Sequence, residues 1–286
     1  MKQIVFALIL ALTTITNTAC TTVMPRNPAP LTGDAPAEIP GIENARFWGD
    51  DVPSFYDQRL KTLSKSDARR THPALYGRPH HYLALSGGGQ NGAFGAGLLV
   101  GWTASGSRPE FQIVTGISTG ALAAPFAFLG PSYDHKLKEV YTTIKTEDIM
   151  KPRNWLSVLF SDAVADSEPL LIMIARQITD DVVDAIAAEH RKGRRLYIGT
   201  TDLDRMRPQV WDIGTIANSG HPGAKELIHK VLLASASIPG AFPPVRINVE
   251  SDGKIYDELH ADGGTTSQVF VYPSEIDWRK ILKMFN

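Results

Sequence analysis

The 286-residue chain has a single cysteine, Cys20. This excludes an intramolecular disulfide, every cysteine-based metal cluster and any other thiol nucleophile. Charge of one sign is lacking as well, with 29 Lys and Arg against 30 Asp and Glu, so no strong field attracts nucleic acid or another polyanion. The chain shows no internal repeat, no coiled-coil heptad and no second membrane segment after its N-terminal apolar run. With 24 Gly and 19 Pro it is neither fibrous nor wholly disordered, and 43% hydrophobic residues supply a sizeable core.

Lys2 precedes the apolar run Ile4–Leu12, which is too short to span a bilayer and suits the core of a signal peptide. Asn17-Thr18-Ala19-Cys20 then resembles a bacterial lipobox, with Thr18 and Ala19 in keeping and Asn17 replacing the usual aliphatic residue. The expectation is a signal peptide over residues 1–19, lipidation at Cys20, and an exported lipoprotein held at a membrane of the periplasm or cell envelope. Cleavage by an ordinary signal peptidase would leave a secreted protein instead. Residues 20–41, rich in Pro and Thr, read as a flexible tether. Residues 42–79 read as an N-terminal extension without assigned chemistry, and residues 80–286 as the main domain.

Within that domain, strand-like runs (Tyr82–Ser86, Phe111–Thr115, Arg195–Thr200, Val210–Ile213, Val245–Val249) alternate with helical ones. The helical runs are Ala93–Ser105, Ala121–Leu129, Tyr133–Ile144, Glu168–His190 and Lys225–Ala234. Such alternation predicts a layered α/β domain around a central, mostly parallel sheet flanked by helices.

Two glycine motifs sit between a strand-like and a helical run. Gly116-Ile117-Ser118-Thr119-Gly120 fits G-x-S-x-G, the turn that presents a strained serine above a sheet at the positive end of a helix. A helix cap is the bland use of the same serine. Ser86-Gly87-Gly88-Gly89-Gln90-Asn91-Gly92 offers backbone N–H groups unobstructed by side chains, as an oxyanion hole or phosphate cradle needs. It lacks the Lys-Ser/Thr ending of a P-loop. Glu110 also stands before a strand, where a dinucleotide site needs an acid at a strand end, so a nucleotide partner is not expected.

Ile255–Ala261 reads as a strand running into Asp262-Gly263-Gly264, which places a carboxylate at a strand end, although Asp-Gly is also a common turn. A triad would require a histidine from among His190, His221, His229 and His260, and none stands in a convincing late loop. A direct Ser118–Asp262 dyad is the more economical reading. Phe94, Leu98, Phe126 and Phe242 are candidates for lining an acyl pocket, with core packing as the ordinary use of each.

In this order the Gly87-Gly88-Gly89 loop, Gly116–Gly120, Ala234-Ser-Ala-Ser-Ile-Pro-Gly-Ala-Phe-Pro-Pro244 and Asp262-Gly263-Gly264 resemble patatin-like phospholipases, over roughly residues 80 to 275. The resemblance implies a serine acyl hydrolase acting on phospholipids or related lipids without cofactor or metal. Ser118 would be its nucleophile, Asp262 its base, Gly87, Gly88 and Gly89 its oxyanion hole, and Gly116 and Gly120 its elbow glycines. Asn91 departs from the basic residue the family usually has there, and the chain ends 22 residues after Gly264 (286 − 264), where the family often continues. An esterase for soluble short-chain esters and a non-catalytic lipid-binding lipoprotein are the alternatives.

Overall fold

The computed structural model describes residues 26–31, 37–52, 62, 64–77, 79–142, 151–152, 163 and 165–271. The expected signal peptide, Cys20 and the last part of the chain lie outside them. One seven-stranded sheet contains β1 (Arg46–Trp48), β2 (Tyr82–Leu85), β3 (Ile113–Ile117), β6 (Arg195–Asp202), β7 (Arg207–Asp212), β8 (Val245–Ser251) and β9 (Lys254–Asp262). A separate two-stranded pair joins β4 (Lys151–Pro152) to β5 (Ala165–Asp166). The helices are α1 (Lys65–Thr71), α2 (Gly92–Ala104), α3 (Thr119–Leu129), α4 (Asp134–Thr142), α5 (Glu168–Gln177), α6 (Asp180–Arg191), α7 (Ile213–Asn218) and α8 (Ala224–Ser235).

The sheet is mixed, which corrects the expected mostly parallel one. Helical crossovers follow β2 and β3, and β2, β3 and β6 run parallel. The pairs β6–β7, β8–β9, β6–β9 and β1–β7 are antiparallel. The physical reason lies in the connections, since a short turn can only return a strand antiparallel. Asp252 and Gly253, both with positive φ (50° and 70°), close the β8–β9 hairpin with the Asp-Gly dipeptide that such turns favour. The predicted helix Glu168–His190 is likewise two helices. Ile178 leaves the helical region, and Thr179 opens α6 ahead of Asp180 and Asp181, acids that suit a helix N-terminus.

The central strands are buried on both faces, and helices α3 and α8 cover them with Phe126, Phe128, Val231 and Leu232, each at most 1% exposed. Within the stretch expected to act as a tether, Ala29 and Ile39 are buried against the domain, and Arg26 donates to both carboxylate oxygens of Asp204 at 2.7 Å and to Asp257 at 2.8 Å. The N-terminal extension adds the edge strand β1, whose Arg46 (3% exposed) pairs with Glu258 (0%) at 2.5 Å. Burial opposes the charge on Glu258, but His260 and Arg46 more than offset it and hold the carboxyl below its ordinary range. Arg205 binds the other carboxylate oxygen of Glu258 at 2.8 Å.

Without Arg46 the buried Glu258 would keep Arg205 but lose its fully buried, charge-assisted partner. Arg46→Met is therefore expected to lower the unfolding free energy by about 1–3 kcal/mol in urea titrations at neutral pH. Because the Glu258 pKa is depressed by folding, the pair's contribution is present above the ordinary glutamate range and is lost as pH falls through the folded value.

Candidate active site

Ser118 stands between β3 and α3 with φ 55° and ψ −125°, a region that a non-glycine residue occupies only when its surroundings enforce it. The flanking glycines make that turn possible. A side chain at Gly116 would sit 2.6 Å from the Gly120 carbonyl oxygen, and one at Gly120 would overlap the Leu85 carbonyl. The strand–turn–helix packing is thus closed on both sides of the serine, and Ser118 is itself only 6% exposed.

Its backbone N–H donates to Ser235 Oγ at 3.0 Å, and that hydroxyl donates to the Gly199 carbonyl at 2.7 Å. Two residues on, the Ser237 carbonyl accepts the Asp262 N–H at 2.9 Å. The end of α8 therefore holds both Ser118 and Asp262 by their main chains. The sequence assigns Ser235 no role; its signal there is two serines inside an apolar run, and the fold buries both completely.

Register brings the two side chains together. Ile117 lies opposite Gly199 on β6, and Asp262 lies opposite the next residue, Thr200. Asp262 is 4% exposed, its Oδ1 accepts the Gly264 N–H at 2.7 Å, and its Oδ2 is buried without a hydrogen-bond partner among the described residues. Burial pushes the carboxyl above its ordinary value, while the nearby Ser118 hydroxyl and the Gly264 N–H favour the charged form and hold the rise back.

The glycine loop runs over the serine: a β-carbon on Gly87 would lie 3.3 Å from Ser118 Cβ. Of the three expected donors, Gly87 is already engaged, giving its N–H to the Gln268 carbonyl at 3.1 Å. Gly88 and Gly89, on the same loop, are exposed with φ 151° and 54°. Gly92, at the start of α2, abuts Thr119, and the Tyr141 hydroxyl donates to the Thr119 carbonyl at 2.6 Å. Burial raises the Tyr141 pKa to about 12, so it remains a donor. Asn91 is exposed.

The four histidines weighed for a triad are placed elsewhere. His260, fully buried, lies 3.1 Å from Thr200 Oγ1 and 3.4 Å from Glu258; His229 meets the Ile178 carbonyl, His221 accepts the Gly223 N–H, and His190 stands 3.7 Å from Asp212. Phe126 (1%) and Phe242 (7%) are core residues, whereas Phe94 (79%) and Leu98 (57%) face outward, so neither pair forms an enclosed acyl pocket. Among the described residues no cluster of His, Cys, Asp or Glu is arranged to hold a metal ion, and no helix is long and apolar enough to cross a membrane. A cleft of about 710 Å³ lined by Glu38, Glu43, Thr215 and Glu250 includes neither Ser118 nor Asp262.

No curated protein matches the chain in sequence. The crystal structure of VipD from Legionella pneumophila is similar with a TM-score of 0.45 and 14% sequence identity, covering 72% of this chain and 49% of that one. The chain thus spans about half the length of that solved protein. The model of the family described as patatin-like phospholipase matches residues 83–273, a span that runs from β2 past Asp262 and takes in both glycine motifs. That match takes in more than half of the chain, which therefore belongs to the patatin-like phospholipase family.

Proposed function

We propose that the protein hydrolyses fatty-acyl ester bonds of phospholipids or related lipids through Ser118, Asp262 and a covalent acyl-enzyme. The observation that carries this reading is the meeting of a strained, buried Ser118 with an Asp262 whose Oδ2 is left without a partner. In this reading Ser118 Oγ attacks the acyl carbonyl carbon as its proton passes to Asp262. The Gly88 and Gly89 N–H groups stabilise the tetrahedral oxyanion. The intermediate collapses as the alcohol departs, taking the proton from Asp262, and water, activated by the same carboxylate, releases the fatty acid.

An isolated aspartate is a weak base, so its burial matters. Desolvation raises its basicity, so it can take the Ser118 proton as the hydroxyl attacks. Export with lipidation at Cys20 belongs to the same proposal, because it would keep the domain at a membrane that contains substrate. Metabolic labelling with palmitate in an exporting host, lost in Cys20→Ser, tests that part.

Hydrolysis of a graded series of p-nitrophenyl esters and of a phospholipid, with EDTA present, tests the chemistry. Ser118→Ala and Asp262→Asn are each expected to lower kcat/KM about 10³- to 10⁴-fold while the proteins stay folded. A fully active Asp262→Asn would remove the dyad, and rates that fall with acyl length would point to a short-chain esterase. The pH dependence follows from the raised Asp262 pKa. The base form is required, so kcat/KM should climb with pH through a value above the ordinary 3.8 and then level off. An acid limb at or below 3.8 would contradict that. Ser235→Ala, which leaves the Ser118 N–H orphaned, is expected to cut kcat about ten- to a hundredfold with little change in KM, and Ser235→Thr to restore most of it.

A further inference from the structure

Helix α2 begins at the glycine loop and breaks the usual rule for a surface helix. Its sequence, GAFGAGLLVGWTA, contains no charged residue. Ala96 and Leu99 point into the core, yet the opposite face is apolar too, with Phe94 at 79% and Leu98 at 57% exposure one turn apart. Between and beyond them Gly97 and Gly101 face open space, where an added β-carbon would meet nothing within 4 Å. A helix that is apolar all round is ordinarily covered on every side.

Two other exposed apolar side chains belong to segments that touch the site. Ile238 (45%) follows Ser237, whose carbonyl holds the Asp262 N–H, and Val269 (46%) follows Gln268, whose carbonyl holds the Gly87 N–H. These segments, residues 86–104, 235–244 and 263–271, contain no Asp, Glu, Lys or Arg, although 21% of the chain is charged. Side chains on a helix lean toward its N-terminus, so Phe94 and Leu98 tilt toward the glycine loop rather than away from it.

From this we infer that the uncharged rim formed by α2, Ile238 and Val269 seats the site on the surface of a lipid aggregate, with Phe94 and Leu98 entering its acyl region. The inference rests on the reading of the chain as a lipid acyl hydrolase and names how its substrate is met. A lipid surface fits better than a protein partner for two reasons. Charge-free segments match a hydrocarbon and ester environment, and a protein covering this rim would close the approach to Ser118, whereas a bilayer supplies the molecule to be cleaved. Docking of this kind draws on burial and not on charge, so it should persist in about 1 M salt, where the screening length falls to about 3 Å.

The test uses the full chain with Cys20→Ser, so that a label has one attachment point and no lipid anchor forms. An environment-sensitive fluorophore is placed on Phe94→Cys, with Ser132→Cys as control; Ser132 follows the far end of α3, away from Ser118. With phosphatidylcholine vesicles, the probe at 94 is expected to shift to the blue, to be quenched by spin-labelled acyl chains, and to keep both responses in high salt, while the probe at 132 does neither. Phe94→Asp should also lower hydrolysis of vesicle phospholipid about tenfold or more relative to its own hydrolysis of monomeric p-nitrophenyl butyrate.

A probe at 94 that stays aqueous while vesicle phospholipid is cleaved would overturn the docking surface and leave the hydrolase standing. A probe already in an apolar setting before vesicles are added would overturn it too, since another part of the chain or a second copy then covers α2. If no ester is cleaved, the functional reading fails and the fluorescence alone decides whether the rim meets lipid.

Discussion

The backbone of Ser118 is the constraint on which the rest of the site depends. A residue with a β-carbon at φ 55° and ψ −125° is strained by roughly 1–3 kcal/mol, and only surroundings that leave no alternative keep it there. Those surroundings are packed backbone. Gly120 lies against the Leu85 and Ser86 carbonyls, Gly116 lies against Gly120, and the Ser118 N–H, which has no ladder partner in this conformation, is taken by Ser235. The hydroxyl of Ser235 is in turn fixed by the Gly199 carbonyl, so Ser118 is positioned from the strand next to its own.

The mixed sheet follows from the same requirement. β6 is long enough to serve two neighbours along one edge: its first residues pair with β3, and its last, Thr200–Asp202, pair with β9. Where β3 ends and the chain turns into Ser118, β9 arrives from the opposite direction and ends in Asp262. A parallel strand at that place would deliver its carboxyl end farther along the sheet, past the serine. Antiparallel pairing therefore lets two groups 144 residues apart (262 − 118) meet without a histidine between them. Gly263, where a β-carbon would come within 2.5 Å of the Gly199 carbonyl, permits the close approach of the two strands.

What could be read from the sequence was local. The strand–glycine–helix turns at Ser86–Gly92 and Gly116–Gly120, and the strand running into Asp262, rest on neighbours within a few residues and occur where expected. The Asp252-Gly253 dipeptide is a local hairpin signal against an all-parallel sheet, whereas helix–strand alternation alone does not separate a parallel sheet from a mixed one. Other features had no local signature. The Arg46–Glu258 pair joins residues 212 positions apart, and the Ser118–Ser235 bond joins residues 117 apart. The engagement of Gly87 by Gln268 changes which glycines can donate, and it is visible only once the chain returns over the loop. Phe94 and Phe242 have the same composition signal, and only the packing separates a surface side chain from a core one.

The absence of a histidine from the pair asks more of Asp262 than a triad asks of its aspartate. In a triad the carboxylate orients an imidazole and stays charged throughout; in the proposed reaction it must itself accept and return a proton. Its two oxygens divide those tasks. Oδ1 is fixed by the Gly264 N–H, which sets the orientation of the carboxyl group, while Oδ2 is buried with no hydrogen-bond partner among the described residues. A second strong donor on Oδ2 would satisfy the burial cost but would also stabilise the charged form, lowering the basicity the reaction needs. Leaving one buried oxygen unsatisfied is costly for stability. The cost is carried by a domain whose N-terminal segment is tied across it through the Arg46–Glu258 and Arg26–Asp204 pairs, and under the proposed mechanism it keeps the carboxylate basic enough to take the Ser118 proton.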